Sequence, residues 1–283
     1  MNMSFSRILR ISRPRFWIYI FGPYLLGACA ALLAADTWSF SWQTLLFATY
    51  FLFSANLLIY GVNDIFDYET DRLNPKKQGY EELVRPEDRK PLWFAIAVSH
   101  IPYLPALVFL DSRALLMLAG FWFFSLGYSL PPLRAKARPF FDSFFNVLYV
   151  FPAFFSYVLG GGGALSWQVV FAACCWVMAM HAFSAVPDIS ADTHAGVHTI
   201  ATVLGKGRTI FLCGFLYALC AFFALPSLEW LAIYLGLAYV LLMIFAYSSS
   251  DIMRIYRLFP WVNTFAGFSL FLFFALQLVQ RLG

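Results

Sequence analysis

The chain reads as long, nearly continuous apolar runs separated by short polar joints. A membrane barrel would instead show alternating segments of about ten residues. Measured against the ~20 apolar residues that a helix needs to cross the hydrocarbon core, nine runs qualify. They cover 15–34, 41–62, 92–110, 114–130, 141–159, 167–186, 209–225, 229–247 and 260–280. Pro and Gly punctuate many of the joints, at Pro91, Pro131-Pro132, Pro139, Gly160 to Gly163, Pro187, Gly205, Pro226 and Pro260. The pattern predicts an all-α, polytopic membrane bundle of nine transmembrane helices, a single domain over residues 1–283.

Composition agrees with the pattern. Of the 283 residues 61% are hydrophobic, 20% aromatic and only 12% charged, and the mean hydropathy is +0.72. Soluble domains average about 45–50% apolar and about 25% charged. The net charge of +4 is no nucleic-acid footprint, because the bases fall in short loops. Cys29, Cys174, Cys175, Cys213 and Cys220 all lie in apolar stretches without a Cys-x-x-Cys pair, which reads as small buried hydrophobes. The first apolar run follows four arginines but has no small-residue cleavage site, so no cleavable signal is expected.

The charge is one-sided. The N-terminal tail and the loops after the second, fourth, sixth and eighth runs hold 17 of the 19 Lys and Arg, leaving only Arg113 and Arg281 for the other face. By the positive-inside rule the N-terminus is cytoplasmic and the C-terminus lies on the opposite side. The cell's inner membrane is the expected location.

Two acidic passages interrupt the pattern on the cytoplasmic face. "NDIFDYETDRLNPKK" (Asn63 to Lys77) packs four acids and three bases into fifteen residues after the second run, with Asp64, Asp67 and Asp71 three and four apart. "PDISAD" (Pro187 to Asp192) follows the sixth run, with Asp188 and Asp192 four apart. In a helix such spacing puts the carboxylates on one face. Each passage ends the second helix of a four-helix unit, which suggests a weak internal repeat over 15–130 and 141–247 plus a ninth helix over 260–280. A solvated loop would explain either cluster alone; matched spacing at equivalent positions on one face points elsewhere. Stacked carboxylates need neutralising, and Mg²⁺ commonly takes one or two carboxylates plus substrate phosphates. The two sets therefore suit a Mg²⁺-bridged diphosphate. Nearby bases fit that chemistry: Arg72 and Lys76-Lys77, then Arg134, Lys136 and Arg138 in "YSLPPLRAKARP". Positioned bases beside a metal can hold a leaving diphosphate, although membrane topology explains Lys77 and Arg138 equally well.

These residues resemble the UbiA superfamily of intramembrane prenyltransferases. Its first motif, Asn-(Asp/Gln)-x-x-Asp-x-x-x-Asp, is matched at Asn63, Asp64, Asp67 and Asp71, and its second, Asp-x-x-x-Asp, at Asp188 and Asp192. With the helix pattern, the resemblance covers nearly the whole chain. It implies helices around a central cavity under a cytoplasmic cap, with the active site opening to the cytoplasm. It implies a prenyl diphosphate held through Mg²⁺ by Asn63, Asp64, Asp67, Asp71, Asp188 and Asp192, with Asp67, Asp71, Asp188 and Asp192 catalytic. Ionisation then gives an allylic cation that an electron-rich, lipophilic acceptor attacks. The family's Tyr-x-x-x-Lys maps to Tyr128 and to Lys136 or Arg134, at a looser spacing here. Arg72, Lys76, Tyr128, Arg134, Lys136 and His198 are the implied diphosphate contacts. Aromatic faces, among 33 Phe, could stabilise the cation.

The flanks bear on the acceptor. Quinone-type members follow the first motif with Asn-Arg-Pro or Asp-Arg-x-x-x-Arg-Pro and a Ser-Gly, whereas this chain reads "DRLNPKKQGYEELVRPEDRK". That passage and "AVPDISADTHAGVHTIATVLG" (Ala185 to Gly205) are similar to the lycopene elongases of C50 carotenoid synthesis. The resemblance implies dimethylallyl diphosphate as donor and lycopene as acceptor, with a partner enzyme of carotenoid synthesis conceivable. Prenylation of a quinone or chlorophyll precursor is the alternative. His181, about two turns before Asp188, could line the cavity or take part in the final proton loss, or it could be a structural hydrogen-bonder. His194 lies near His198, and His100 reads as structural. A transporter would place ionisable residues inside the spans or break paired helices at the midplane; the acids here sit at helix ends. The Asp-Gly-x-x-Ala-Arg signature of CDP-alcohol phosphotransferases is absent.

Overall fold

A computed structural model describes residues 3–72 and 82–282, and among them every regular element is helical. In chain order the α-helices are α1 (Phe5–Ile11), α2 (Ile18–Ala34), α3 (Trp42–Thr49), α4 (Ala55–Phe66) and α5 (Tyr68–Asp71). Then come α6 (Arg89–His100), α7 (Ser112–Ser129), α8 (Phe141–Phe144), α9 (Phe151–Leu159) and α10 (Trp167–Ser184). The chain ends with α11 (Ile189–His194), α12 (Ile200–Leu228), α13 (Trp230–Ser248) and α14 (Ile252–Leu282).

Short 3₁₀ and π segments join several of these into longer rods. Eight rods among the described residues are long and apolar enough to cross a membrane: Pro14–Ala34, Trp42–Phe66, Pro86–Phe109, Phe141–Leu159, Trp167–His194, Ile200–Leu228, Trp230–Ser248 and Ile252–Arg281. The expected count of nine is therefore one too high. The difference is 114–130, which folds as α7, an 18-residue helix. Arg113, three serines and two glycines dilute its apolar character. Pro226 and Pro260, expected at joints, lie inside α12 and α14. Membrane helices tolerate such interruptions where neighbouring groups satisfy the freed carbonyls. Gly205 does break the helical path within α12, at φ 73°, a conformation that costs a residue with a Cβ and costs glycine little.

Helix starts are capped by the residues expected of them. Ser41 accepts from Thr44 N–H, Ser166 from Val169, and Asp111 from Ala114 at 2.7 Å. Each cap satisfies an otherwise orphaned donor.

The chain divides into two compact units. The first comprises residues 1–133 and 151–163. Its core is aromatic: Phe47 packs edge-on to Phe155 with centroids 4.8 Å apart, Phe51 lies 5.1 Å from Tyr24, and Phe121 sits 5.2 Å from Phe51. α2 and α9 pack closely because Gly27 has no side chain; a Cβ there would collide with the carbonyl oxygen of Ala153. Some polar groups buried in this unit are paired across helices. The Tyr24 hydroxyl donates to Thr44 O at 2.6 Å and the Ser156 hydroxyl to Tyr24 O at 2.7 Å. His100 proves structural: its Nε2 lies 3.2 Å from the Tyr50 hydroxyl, which also accepts from Trp122 Nε1 at 2.7 Å.

The second unit comprises residues 134–150 and 164–281. α10, α12 and α13 pack in sequence around Phe183, Cys213, Tyr217, Tyr239 and Met243. Tyr217 and Tyr239 stack at 4.4 Å, and the Tyr239 hydroxyl donates to Asn263 Oδ1 at 2.7 Å. All five cysteines are free thiols.

Candidate active site

The first acidic motif spans the end of α4 and the short α5. α4 runs on past the apolar stretch through Asn63 and Asp64 to Phe66, and Asp67 ends it at φ −107°. α5 restarts at once, with Asp71 N–H donating to Asp67 O at 2.8 Å. The four motif side chains do not share one environment. Asn63, Asp67 and Asp71 are half-buried. Asn63 Oδ1 accepts from the Ser129 hydroxyl at 3.2 Å, which ties the motif to the end of α7 beside Tyr128. Asp64 turns inward instead. Its side chain is 1% exposed and receives the Arg13 guanidinium at 2.7 Å. The same guanidinium stacks over Tyr60, 4.9 Å from the ring centroid.

The N-terminal segment that presents Arg13 is itself anchored. Arg7 donates to Asp88 at 2.7 Å and to Glu82 at 3.2 Å, and Arg10 to Glu82 at 2.6 Å. The hydrogen bond to Asp88 raises the pKa of Arg7 above its usual value. Asp88 also accepts from Arg85 N–H. These bonds hold α1 against the chain that re-enters α6.

In the second unit, α10 gives way at Ala185 to a 3₁₀ turn over Val186–Asp188. Pro187 sits at the start of that turn, where its missing N–H removes no intrahelical bond. α11 follows from Asp188, and Asp192 falls in its first turn. Asp188 is exposed and Asp192 half-buried. His194 and His198 are exposed; His194 Nδ1 lies 2.6 Å from Ser190 O.

The bases differ in their placement. Arg72 is exposed and pairs with Glu69 at 3.0 Å. Tyr128, half-buried, belongs to the first unit, whereas Arg134 and Lys136, also half-buried, belong to the second. Arg134 adopts a left-handed backbone, φ 38°, and opens the 3₁₀ turn Ala135–Ala137 that carries Lys136. Lys76 and Lys77 lie outside the described residues.

Three residues escape a reading of the sequence. Arg13 and Ser129 carry no local signal beyond their residue type. Asp142 does carry one: an acid within the apolar passage "PFFDSFFNVLY" is unusual in a membrane span. Asp142 is fully buried. One carboxylate oxygen accepts Ile200 N–H at 2.9 Å and lies 3.8 Å from His181 Nε2.

The donors of the two motifs suit Mg²⁺, being hard carboxylate and amide oxygens with no thiol or imidazole among them. Among the described residues, no three acidic, His or Cys side chains converge into a closed cage. Mg²⁺ does not need one, because it retains waters and shares substrate phosphates.

The family model described as the UbiA prenyltransferase family matches residues 24–256. The chain belongs to the UbiA prenyltransferase family. This prenyltransferase is 38% identical to a lycopene elongase/hydratase of Haloferax volcanii, covering 91% of its own length and 84% of the relative's. It is 34% identical to a lycopene elongase/hydratase of Corynebacterium glutamicum, over 92% and 93% of the two chains. Its fold matches that of a UbiA homolog from Archaeoglobus fulgidus solved bound to DMAPP and Mg²⁺, with a TM-score of 0.65 at 19% identity over 98% and 99% of the chains. It also matches the apo structure of a UbiA homolog from Aeropyrum pernix, with a TM-score of 0.70 at 18% identity over 96% and 99%. The prenyltransferase is thus an integral membrane enzyme of this fold.

Proposed function

We infer that this prenyltransferase transfers a dimethylallyl group from dimethylallyl diphosphate to an end of lycopene, in a Mg²⁺-dependent step of C50 carotenoid synthesis. The observation that carries the reading is the likeness, along nine-tenths of the chain, to relatives named lycopene elongase/hydratase in a haloarchaeon and a corynebacterium. The passage after the first motif, "LNPKK" in place of a quinone-type continuation, supports the same acceptor.

Asn63, Asp67 and Asp71, with Asp188 and Asp192, are the residues that would hold Mg²⁺ and, through it, the donor's diphosphate. When bound, Mg²⁺ neutralises the diphosphate and makes it a better leaving group. Asp64, already engaged by Arg13, positions that arginine and steadies α4 rather than meeting the metal. Arg72, Lys76, Arg134, Lys136, Tyr128 and His198 supply the remaining positive charge and hydrogen-bond donors for the diphosphate. Apolar and aromatic walls exclude water from the allylic cation, which would otherwise be hydrolysed. The excess of Lys and Arg on one set of loops supports a cytoplasmic N-terminus and a cytoplasmic mouth for the site. A partner enzyme that delivers the water-insoluble acceptor fits the same scheme.

The test supplies membranes containing the chain with labelled dimethylallyl diphosphate, Mg²⁺ and either lycopene or 4-hydroxybenzoate. Label in an elongated carotenoid is expected. Label only in the aromatic acid would overturn the acceptor and leave prenyl transfer intact.

A further inference from the structure

The second membrane-crossing rod, Trp42–Phe66, is not a uniform α-helix. Between α3 and α4 it passes through a π turn over Tyr50–Ser54, where Ala55 N–H donates to Tyr50 O. Such a turn takes up one residue more than an α-helix would, and the return to ordinary α bonding leaves one carbonyl without a backbone donor. Asn56 answers that deficit. The residue is fully buried, and its Nδ2 donates to Phe51 O and to Leu52 O, each at 3.0 Å. Its Oδ1 accepts from nothing among the described residues. An amide kept inside a membrane span with half its capacity unused is costly, so the turn that it holds calls for a reason.

The reason lies in the direction of the first acidic motif. Thr44 and Phe47 mark the buried face of α3. At about 100° per residue, an unbroken α-helix would put Asn63 about 130° from the middle of that face; with one residue taken up by the turn, the angle falls to about 30°. Asn63 does face inward, half-buried and bonded to Ser129 at the end of α7. The rod is anchored on either side of the turn. The Tyr50 hydroxyl meets Trp122 and His100, and the Ser54 hydroxyl donates to Ser99 O at 2.8 Å. Loss of the turn would therefore be taken up by α4, which carries the motif.

We propose that Asn56 is a positioning residue for the first acidic motif: it holds the π turn, and the turn aims Asn63 and Asp67 at the bound diphosphate. The proposal rests on the reading of that motif as half of a Mg²⁺–diphosphate site. Asn56 itself touches neither metal nor substrate; it lies seven residues before Asn63, about 10 Å along the helix. Its replacement by an apolar residue leaves two carbonyls without their side-chain donor and the inserted residue without its support. Removing the inserted residue as well restores an unbroken helix whose two ends keep their directions.

The experiment measures Mg²⁺-dependent binding of labelled dimethylallyl diphosphate to the full chain in nanodiscs, which needs no acceptor. Asn56→Leu is expected to raise Kd by about tenfold or more, the loss of a charge-assisted contact, and to raise the Mg²⁺ concentration at half-saturation. Deleting Leu52 in the Asn56→Leu background should return both values towards those of the wild type. Asn56→Ser, whose hydroxyl still reaches the carbonyl four residues back, should fall between the wild type and Asn56→Leu. Elution profile and thermal midpoint report folding for every variant. A merely structural asparagine would lower the midpoint and leave the affinity of the folded protein unchanged. That result, no recovery on deleting Leu52, or unfolding of both Asn56 variants would each overturn the proposal. Absence of Mg²⁺-dependent binding in the wild type would overturn the diphosphate reading itself, and the proposal with it.

Discussion

The Arg13 guanidinium reaches the Asp64 carboxylate at 2.7 Å, although 51 residues separate them and Asp64 is 1% exposed. The second position of the first acidic motif thus faces an arginine from the N-terminal segment. Removing one member of a buried pair leaves the other charge without compensation and costs about 3–5 kcal/mol. Arg13→Ala should therefore lower the unfolding midpoint in detergent sharply. Replacing both residues, as Arg13→Met with Asp64→Leu, should recover most of the loss, because paired apolar replacements are often near neutral. An unchanged midpoint in Arg13→Ala would show that the pair contributes nothing.

That pair marks where the sequence stops being informative. The rods and both acidic motifs are legible because a membrane imposes long apolar runs and because carboxylates three and four apart are a local pattern. Arg13 is not legible: no local pattern announces its reach to Asp64, nor the left-handed turn of its own backbone, at φ 53°, before Pro14. Asp142 stands out locally as an acid in an apolar passage, but its partner does not: the Ile200 N–H that it accepts lies 58 residues later, at the start of α12. α7 misleads in the other direction. Its apolar residues predict a span, and its Arg113, serines and glycines leave it short of the other eight rods.

Close packing of α2 on α9 rests on Gly27. Gly27→Leu would push a side chain into the Ala153 carbonyl and the Ser156 hydroxyl, and overpacking of this kind costs about 1–3 kcal/mol or more. A lower midpoint in detergent and a broadened elution peak are expected for Gly27→Leu, with little change for Gly267→Ala, where nothing lies within 4 Å. Equal midpoints for the two variants would count against the packing argument.

Topology can be read by tagging. If α7 crosses the membrane together with the eight longer rods, reporters fused at the N- and C-termini will lie on opposite sides, with the N-terminal one cytoplasmic. Reporters on the same side would mean eight crossings and would place α7 outside the bilayer core.

The most direct measurement of the central claim follows label from dimethylallyl diphosphate into the acceptor in the wild type, in Asp67→Ala and in Asp188→Ala, with Mg²⁺ and with excess chelator. Turnover is expected only in the wild type with Mg²⁺, with both variants folded by elution profile and inactive. Turnover that survives the chelator, or that persists in both variants, would contradict a Mg²⁺–diphosphate site built from the two acidic motifs.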